Sequence, residues 1–477
     1  MKRIITLGIS LCLTVLCFGQ QAPEYGNGFD FKYEEEQEPK LVLTDSYNAY
    51  LLTYINTNGI LSKREIIIRK FDQKNQLVDT YKKTFPEIDN GTLYNYIGSA
   101  AMPGNNKVVI FTESYTGKSD KQDLYRHIFD KATGSFTTSL VKSFPMESVN
   151  KKGVFQFELS ENNRFIGIVN VKNSTKKEVV QNTVMMLDVA NAGLLWSKDI
   201  PLEAKDYERS FTVTNSGKAV FVRAAKGMKL YNYLTVVTEA AAENKELGEE
   251  VQLQDPKAIS IGNRDYLLAF DHNAKGLRSG DFEKFMLYDL DAAKIMNNNK
   301  ISIFNNLKDV KEVEIRNVFI QNNEFHIFAE ARVKAGTRPV KVNQFSTMAF
   351  DEPYYRYGPA YMIIMDYEGK IKNIAALGVN QNNLAEIYPS FGVVNVKGDY
   401  RIIGSGSEIY KWSPNGNFSV NPKESVRFRT YDNTLENALW WDWQPVPHLF
   451  GYLPDSKKFI IGRYYNKQLS LITVPNP

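Results

Sequence analysis

Cysteine and histidine are both scarce in this sequence of 477 residues, and their scarcity removes several kinds of chemistry. The two cysteines, Cys12 and Cys17, lie in an apolar stretch at the N-terminus. If that stretch is cleaved, the rest of the chain has no thiol nucleophile, no disulfide and no thiolate ligand for zinc or an iron–sulfur cluster. The four histidines have neither the HExxH nor the HxH spacing of a zinc site: His127, His272, His326 and His448. We therefore expect no catalytic metal and no cofactor.

The chain also lacks a strong charge of one sign. It has 58 Lys and Arg against 54 Asp and Glu, and the net charge falls from +4 to +2 when Lys2 and Arg3 are left out. A dedicated nucleic-acid binder carries a pronounced basic surface, so this balance argues against that class. Glycine-rich phosphate loops and a GxSxG nucleophile elbow are absent too, which leaves no recognisable catalytic residue.

The first residues have the organisation of a secretory signal peptide, which we place at 1–19. A basic head precedes an apolar run at 4–18, and the small residue Gly19 closes it. The run is short for a bilayer span, and no later apolar segment approaches membrane length, so we expect a protein that does not span a membrane. The expected location is the periplasm, the outer membrane or the cell exterior. Acylation of Cys17 is a less favoured alternative, because Leu16 stands where a lipoprotein signal needs a small residue.

Residues 20–40 form a polar stretch with clustered glutamates at 34, 35, 36 and 38. Low hydrophobicity and clustered negative charge are typical of a solvated tail, so the sequence predicts an acidic, poorly ordered segment. A Ca²⁺ or partner contact is the alternative. We predict a single domain over 41–477.

That domain contains an internal repeat. Each copy is a turn rich in Asn, Gly, Asp and Lys, followed by a strand that usually begins with a bulky apolar residue. The successive spacings of 58, 57, 54, 47, 59, 75 and 59 residues are close to the length of a four-stranded unit. The strands begin at Tyr50, Val108, Phe165, Ala219, Tyr266, Phe325, Tyr400 and Phe459.

A second signature alternates with the first. An apolar strand ends in Asp, a few turn residues follow, and another strand begins. Aspartate after a strand can accept hydrogen bonds from the next backbone amides in an Asx-turn, so we expect turn formers and not ligands at these positions. They are Asp72, Asp130, Asp188, Asp289 and Asp366.

The alternation predicts an all-β fold, a β-propeller of seven or eight four-stranded blades. The last repeat is one strand short, so we expect an early strand, at 29–33 or 41–43, to complete it and close the ring by pairing the N- and C-terminal strands. Helical periodicity is confined to two short stretches, 238–247 and 431–441.

The repeated turn–strand units, the cysteine-free chain after Gly19 and the Lys/Asn/Tyr/Phe-rich composition resemble the uncharacterised secreted β-propeller proteins of Bacteroidetes. The resemblance lacks the Gly-His and Trp-Asp marks of WD40 blades, since Trp441-Asp442 occurs once and outside any repeat. It implies a scaffold and an exported location, and it implies no catalytic residue.

Two stretches depart from the repeat and are the candidates for function. The first is an inserted arm at about 332–360, which lengthens one interval to 75 residues and joins the second and third strands of its blade. An extended loop that mixes arginine and tyrosine suits a lid or a partner-binding arm, with an ordered loop that packs on its own aromatics as the alternative. Its candidate contact residues are Arg338, Tyr354, Tyr355, Arg356 and Tyr357.

The second departure is a group of three tryptophans just before the last repeat, Trp440, Trp441 and Trp443. Exposed tryptophan can stack on sugar rings or anchor a partner, whereas buried tryptophan can plug a closing blade.

The sequence favours a non-enzymatic exported module that binds an envelope or outer-membrane protein, or a glycan, through its blade loops. The alternative is a hydrolase or lyase acting on polysaccharide or peptide, with carboxylates at the mouth of the channel. That alternative requires the close approach of carboxylates such as Asp271, Asp351, Glu352 and Asp442.

Overall fold

A computed structural model gives the fold. It describes residues 23–32, 36–45, 48–56, 64–85, 92–116, 120–148, 151–172, 179–202, 206–225, 233–247, 251, 253–272, 282–301, 303, 310–341, 349–377, 391–404, 408–412, 426–427, 444–465 and 467–476. The signal peptide predicted at 1–19 lies outside these residues.

All regular structure in the described ranges is β-strand, in 33 strands with no α-helix. Two short strands come first: β1 (Glu24–Tyr25) and β2 (Phe29–Asp30). Blades 1 and 2 follow with β3 (Glu36–Thr44), β4 (Ala49–Asn56), β5 (Arg64–Phe71), β6 (Leu77–Thr84), β7 (Thr92–Ala101), β8 (Lys107–Thr116), β9 (Lys121–Asp130) and β10 (Ser135–Pro145). Blades 3 and 4 contain β11 (Val154–Leu159), β12 (Phe165–Val171), β13 (Val180–Asp188), β14 (Gly193–Leu202), β15 (Asp206–Val213), β16 (Ala219–Ala225), β17 (Tyr233–Val237) and β18 (Ala242–Glu246).

The second half repeats the same plan. Blades 5 and 6 contain β19 (Leu253–Ile261), β20 (Arg264–His272), β21 (Phe282–Asp289), β22 (Lys294–Lys300), β23 (Val310–Gln321), β24 (Glu324–Lys341), β25 (Ala349–Asp366) and β26 (Ile371–Ala376). Blades 7 and 8 contain β27 (Gly392–Val396), β28 (Asp399–Ile403), β29 (Glu408–Trp412), β30 (Val426–Arg427), β31 (Gln444–Leu453), β32 (Lys458–Tyr465) and β33 (Gln468–Pro475).

The strands form eight antiparallel sheets, and in blades 1 to 7 the order in space follows the order in sequence. The first strands of neighbouring blades contact one another, as β3 does with β7 and with β31, so they form the inner wall of the ring. The β-propeller prediction is confirmed, and the number of blades is eight.

The chain termini close the ring in blade 8. Both β1 and β2 pair with β33, through Glu24↔Thr473 and Phe29↔Leu469, and supply the missing outer strand. The predicted closure is therefore confirmed. Parts of the segment 20–40, which the sequence predicts to be poorly ordered, are strands: β33 offers β1 and β2 an open edge whose backbone groups need partners, and the start of β3 pairs with β4.

The hydrophobic core lies between blades. Ile66 and Ile68 of blade 1 pack with Val108 and Ile110 of blade 2, and equivalent clusters recur around the ring. Strands two and three of a blade are covered on both faces, as β8 shows with eight buried residues in ten. This burial explains why those strands read as apolar runs in the sequence.

The two turn signatures of the repeat have a physical basis. The turns that join first and second strands place Asn105, Asn163, Lys397 or Lys457 in the left-handed region, with φ from 52° to 55°. Asparagine tolerates this conformation better than most residues. All five aspartates of the second signature accept hydrogen bonds from following amides, such as Ala132 N–H to Asp130 at 2.9 Å. The turn-former prediction is confirmed.

The helical prediction for 238–247 is wrong, because those residues form a turn and the outer strand β18. Ala242–Glu246 pairs with β17 from Val237↔Ala242 to Tyr233↔Glu246. A full ladder of backbone hydrogen bonds outweighs the helix propensity of three alanines. The second helical stretch, 431–441, lies outside the described residues.

The turns between first and second strands also bond to the next blade. Asn162 N–H donates to Asn215 Oδ1 at 2.9 Å, Asn215 N–H to Ser260 Oγ at 3.2 Å, and Gln321 to the Gly398 carbonyl at 3.0 Å. We call this end of the ring the turn face. Because hydrogen bonds join the turn face from blade to blade, we expect a functional site at the opposite end of the ring.

Candidate functional site

A two-stranded ribbon leaves the sheet of blade 6 at the end opposite the turn face. The last residue of β24 that pairs with β23 is Val333, which lies opposite Val310. Beyond it, residues 334–341 pair only with residues 349–356 among the described strands. Eight residues at about 3.3 Å each give a ribbon roughly 25 Å long. In blade 2, by contrast, β8 ends opposite the first residue of β7.

The described parts of the predicted arm, 332–341 and 349–360, lie at the outer end of this hairpin. Arg338 lies opposite Glu352, and Tyr355 lies opposite Lys334. Tyr354 and Arg356 are also ribbon residues, and Tyr357 stands at the base of the ribbon opposite Arg332. The tryptophans predicted to bind a partner, Trp440, Trp441 and Trp443, lie outside the described residues, as does Asp442.

Tyr357 anchors the base of the ribbon in a partly buried polar cluster. The tyrosine is 6% exposed, its hydroxyl donates to Glu314 Oε1, and the Arg316 guanidinium lies 4.3 Å from its ring centroid. Arg316 also bonds both carboxylates of the cluster, Glu314 at 2.5 Å and the fully buried Glu330 at 2.5 Å. Because these residues come from β23, β24 and β25, the cluster ties the ribbon to the inner strand of its blade.

The charges of the base cluster balance. Glu314 and Glu330 contribute two negative charges, and Arg316 and Arg332 contribute two positive charges, with Arg332 5.6 Å from the Tyr357 ring. Burial lowers the pKa of Arg316, but the carboxylates of Glu330 and Glu314 together raise it by more. The pKa of Arg316 is therefore above its ordinary value. Burial, followed by the bond to Glu314, raises the pKa of Tyr357. Arg316 therefore stays charged and Tyr357 stays neutral at neutral pH, and the cluster has the chemistry of an anchor.

Tyr357→Phe tests this anchor. Removing the hydroxyl deletes a hydrogen bond to a charged acceptor, so we expect the free energy of unfolding to fall by about 1.5–3 kcal/mol in urea titrations. Tyr361→Phe is the matched control in the same strand, because its hydroxyl donates to the neutral Ile303 carbonyl at 3.2 Å and its loss should cost only about 1 kcal/mol. Equal losses in the two variants would count against the anchor.

The residues that sequence reasoning missed are Glu314, Arg316 and Glu330. They lie within strands that otherwise read as blade framework. The available signal was the alternation of β23, in which charged side chains at 312, 314 and 316 interrupt an apolar strand. Alternation alone does not reveal that Glu330 is buried, because that depends on the neighbouring strands.

Two of the histidines and one candidate carboxylate have partners within the blades. His127 lies 2.9 Å from both Thr112 and Thr138, and His326 lies 2.8 Å from the Tyr400 hydroxyl, both buried in blade strands. Asp271 accepts a hydrogen bond from Asn298 at 2.8 Å. In the described part of the chain no group of three His, Cys, Asp or Glu is placed to hold a metal ion.

The chain is similar in structure to several solved proteins at low sequence identity. Neither protein-family models nor curated proteins match the sequence. Among solved structures, the β-propeller domain of the Trilobed protease from Pyrococcus furiosus is 12% identical with a TM-score of 0.38, covering 86% of this chain and 100% of its own. Pyrococcus horikoshii acylaminoacyl peptidase is 11% identical (TM-score 0.37), covering 92% of this chain and 58% of its own. Prolyl oligopeptidase B from Galerina marginata is 9% identical (TM-score 0.42), covering 90% and 55%.

Among the described residues there is no helix that is long and apolar enough to cross a membrane.

Proposed function

We propose that this protein is a non-enzymatic, exported binding module whose ribbon contacts an envelope protein or a glycan. The observation that carries the proposal is the ribbon itself, 334–341 paired with 349–356, which continues past the sheet of blade 6. An element of this length that continues past the last strand pair of its blade has a physical use when another molecule covers it.

The base cluster supports binding over catalysis. A ribbon held at one end by Tyr357, Glu314 and Arg316 loses less conformational freedom when a partner binds, which favours affinity. A hydrolase would instead need a carboxylate free to exchange a proton with substrate. The two carboxylates at the base, Glu314 and Glu330, are both bonded to Arg316.

Replacing residues 334–355 by Asn-Gly tests the proposal. The new turn joins Val333 and Arg356, which already lie opposite each other, and Asn-Gly suits a two-residue hairpin. We expect capture of a partner from envelope extracts, or binding on a glycan array, to be lost. The melting temperature should stay within about 2–4 °C, since little core is removed and such a shift corresponds to about 1 kcal/mol.

The matched control is Leu194→Ser with Leu195→Ser. These leucines are 44% and 48% exposed on β14, away from blade 6, so the control removes apolar surface without touching the ribbon. Capture that survives the ribbon replacement, or that is lost equally in the control, would overturn the proposal. Cell fractionation with and without residues 1–19 tests the proposed export.

A further inference from the structure

The edges of the ribbon carry prolines at informative positions. Pro339 lies opposite Asp351, and Pro353 lies opposite Thr337, two residues further along the same ladder. In an antiparallel pair, opposed residues alternate between those that bond each other and those whose N–H and C=O groups point outward. Proline has no N–H, so a paired ribbon places it at the outward positions.

The register accommodates both prolines in this way. The pairs 337–353, 339–351 and 341–349 are two residues apart, so all three belong to the same, outward-facing class. The ribbon can therefore keep its internal hydrogen bonds while each strand lacks one N–H on its open edge. Prolines on exposed edges are a known means of preventing the addition of a further strand.

The charged residues of the ribbon indicate what kind of partner surface could cover it. Arg338 lies opposite the carboxylate residue Glu352, whereas Lys334, Lys341 and Arg356 lie opposite Tyr355, Ala349 and Val333, which carry no charge. Successive residues of a strand face opposite sides, so Lys334, Lys341 and Asp351 lie on one face of the ribbon and Arg338, Arg356 and Glu352 on the other, and each face carries a net +1. An acidic surface complements that excess.

We propose that an acidic groove on a partner protein encloses both faces of the ribbon, and that Pro339 and Pro353 close both ribbon edges to strand addition. This inference rests on the proposed binding role of the ribbon and specifies its mode. A partner that added a strand would need the outward N–H groups that the prolines remove.

Sedimentation velocity of the double variant Pro339→Thr/Pro353→Thr tests whether the prolines prevent strand addition at the ribbon edges. Two outward N–H groups return in this variant, so we expect self-association to rise roughly tenfold or more, since each added hydrogen bond is worth a factor of about two to twelve. Val340→Thr is the matched control, because residue 340 lies between outward positions and its N–H already points into the ladder. A double variant that sediments as the wild type does would overturn edge closure.

Binding of labelled poly-L-glutamate at low salt tests whether the ribbon recognises an acidic partner. We expect binding to weaken at least tenfold in Lys334→Gln/Lys341→Gln/Arg356→Gln, because each cation near an anionic partner contributes about a fivefold factor at low ionic strength. The control, Lys74→Gln/Lys82→Gln/Lys294→Gln, changes net charge equally at exposed sites on other blades. Equal weakening in both variants, or no binding by the wild type, would overturn the acidic groove.

The two proposals fail separately. If replacing 334–355 leaves partner capture intact, the binding role is wrong, while edge closure still stands on the sedimentation result. If capture requires the ribbon but the proline variant does not self-associate, the binding role stands and edge closure is wrong.

Discussion

Arg69→Met is expected to lower the free energy of unfolding by about 3–5 kcal/mol, because it leaves the carboxylate of Glu36 buried without its counter-charge. Arg69 bonds Glu36 through two nitrogens, at 2.8 and 3.0 Å, and Thr53 donates to the same carboxylate at 3.0 Å. The side chains are 9% and 11% exposed. The Arg69 guanidinium also lies 4.7 Å from the ring centroid of Phe29 in β2, so the pair joins blade 1 to the closing strand.

Urea titration of a double-mutant cycle measures this effect. Glu36→Gln/Arg69→Met should recover part of the loss, since no buried charge remains. Lys107→Gln provides the exposed comparison, because its partner Asp130 is 3.1 Å away and the lysine side chain is 48% exposed, so the change should cost under about 1 kcal/mol. A loss for Arg69→Met no greater than for Lys107→Gln would contradict the expectation.

Acidification from pH 7.5 to pH 5 is expected to lower the free energy of unfolding by about 4 kcal/mol through two histidines. Burial lowers the pKa of His127 to about 4 and that of His448 to about 3, against an ordinary value of 6.5. The unfolded chain therefore takes up protons first, so the contribution is complete above pH 6.5 and is lost as the pH falls toward the folded values. A pH of 5 lies about 1.5 pH units below the ordinary pKa of histidine, and each pH unit is worth roughly 1.4 kcal/mol. Each histidine therefore contributes about 2 kcal/mol to the loss.

Two other ionisable groups also change how the free energy of unfolding depends on pH. His326 adds to the loss on acidification, because burial lowers its pKa as well. Glu158 opposes it, because burial raises the pKa of this carboxyl and its neutral form favours the folded state as the pH falls. The net effect of acidification is a loss of stability, because the folded-state pKa values of His127 and His448 both lie below pH 5.

Stability curves for the wild type and His127→Gln, measured every half pH unit, test the assignment. The variant starts less stable because it loses its bonds to Thr112 and Thr138, but its loss between pH 7.5 and 5 should be smaller by about 2 kcal/mol. Parallel curves would show that His127 does not titrate as its burial requires. Stability that is constant over the interval would reject the histidine account.

Much of the architecture could be predicted from the sequence, because blade structure is local. The aspartates at 72, 130, 188, 289 and 366 bond amides two to four residues away, so their effect is visible in a short window. The sequence also predicts a closing strand for blade 8 near Phe29, since the last repeat lacks a partner and an unpaired edge must be covered. It does not determine the number of blades, because seven and eight both accommodate one incomplete repeat.

The candidate site was predicted only in part. The insertion that contains Tyr357 was visible as a lengthened interval, yet Glu314, Arg316 and Glu330 were not singled out. Their significance comes from contacts between residues 14 to 43 positions apart, and a pattern along one strand does not reveal such contacts. The helical interpretation of 238–247 failed for the same reason, since β17 supplies the hydrogen bonds of β18.

The sequence by itself determined the repeat, the turn chemistry and the all-β class, because each depends on hydrogen bonds and apolar periods within one hairpin. Only the tertiary structure decided that there are eight blades, that the insertion is a paired ribbon and that a partly buried, charge-balanced cluster anchors it. Ring closure and burial are collective: whether Glu330 is exposed or enclosed depends on how β23 and β25 pack beside it, and that information resides in the assembled blade.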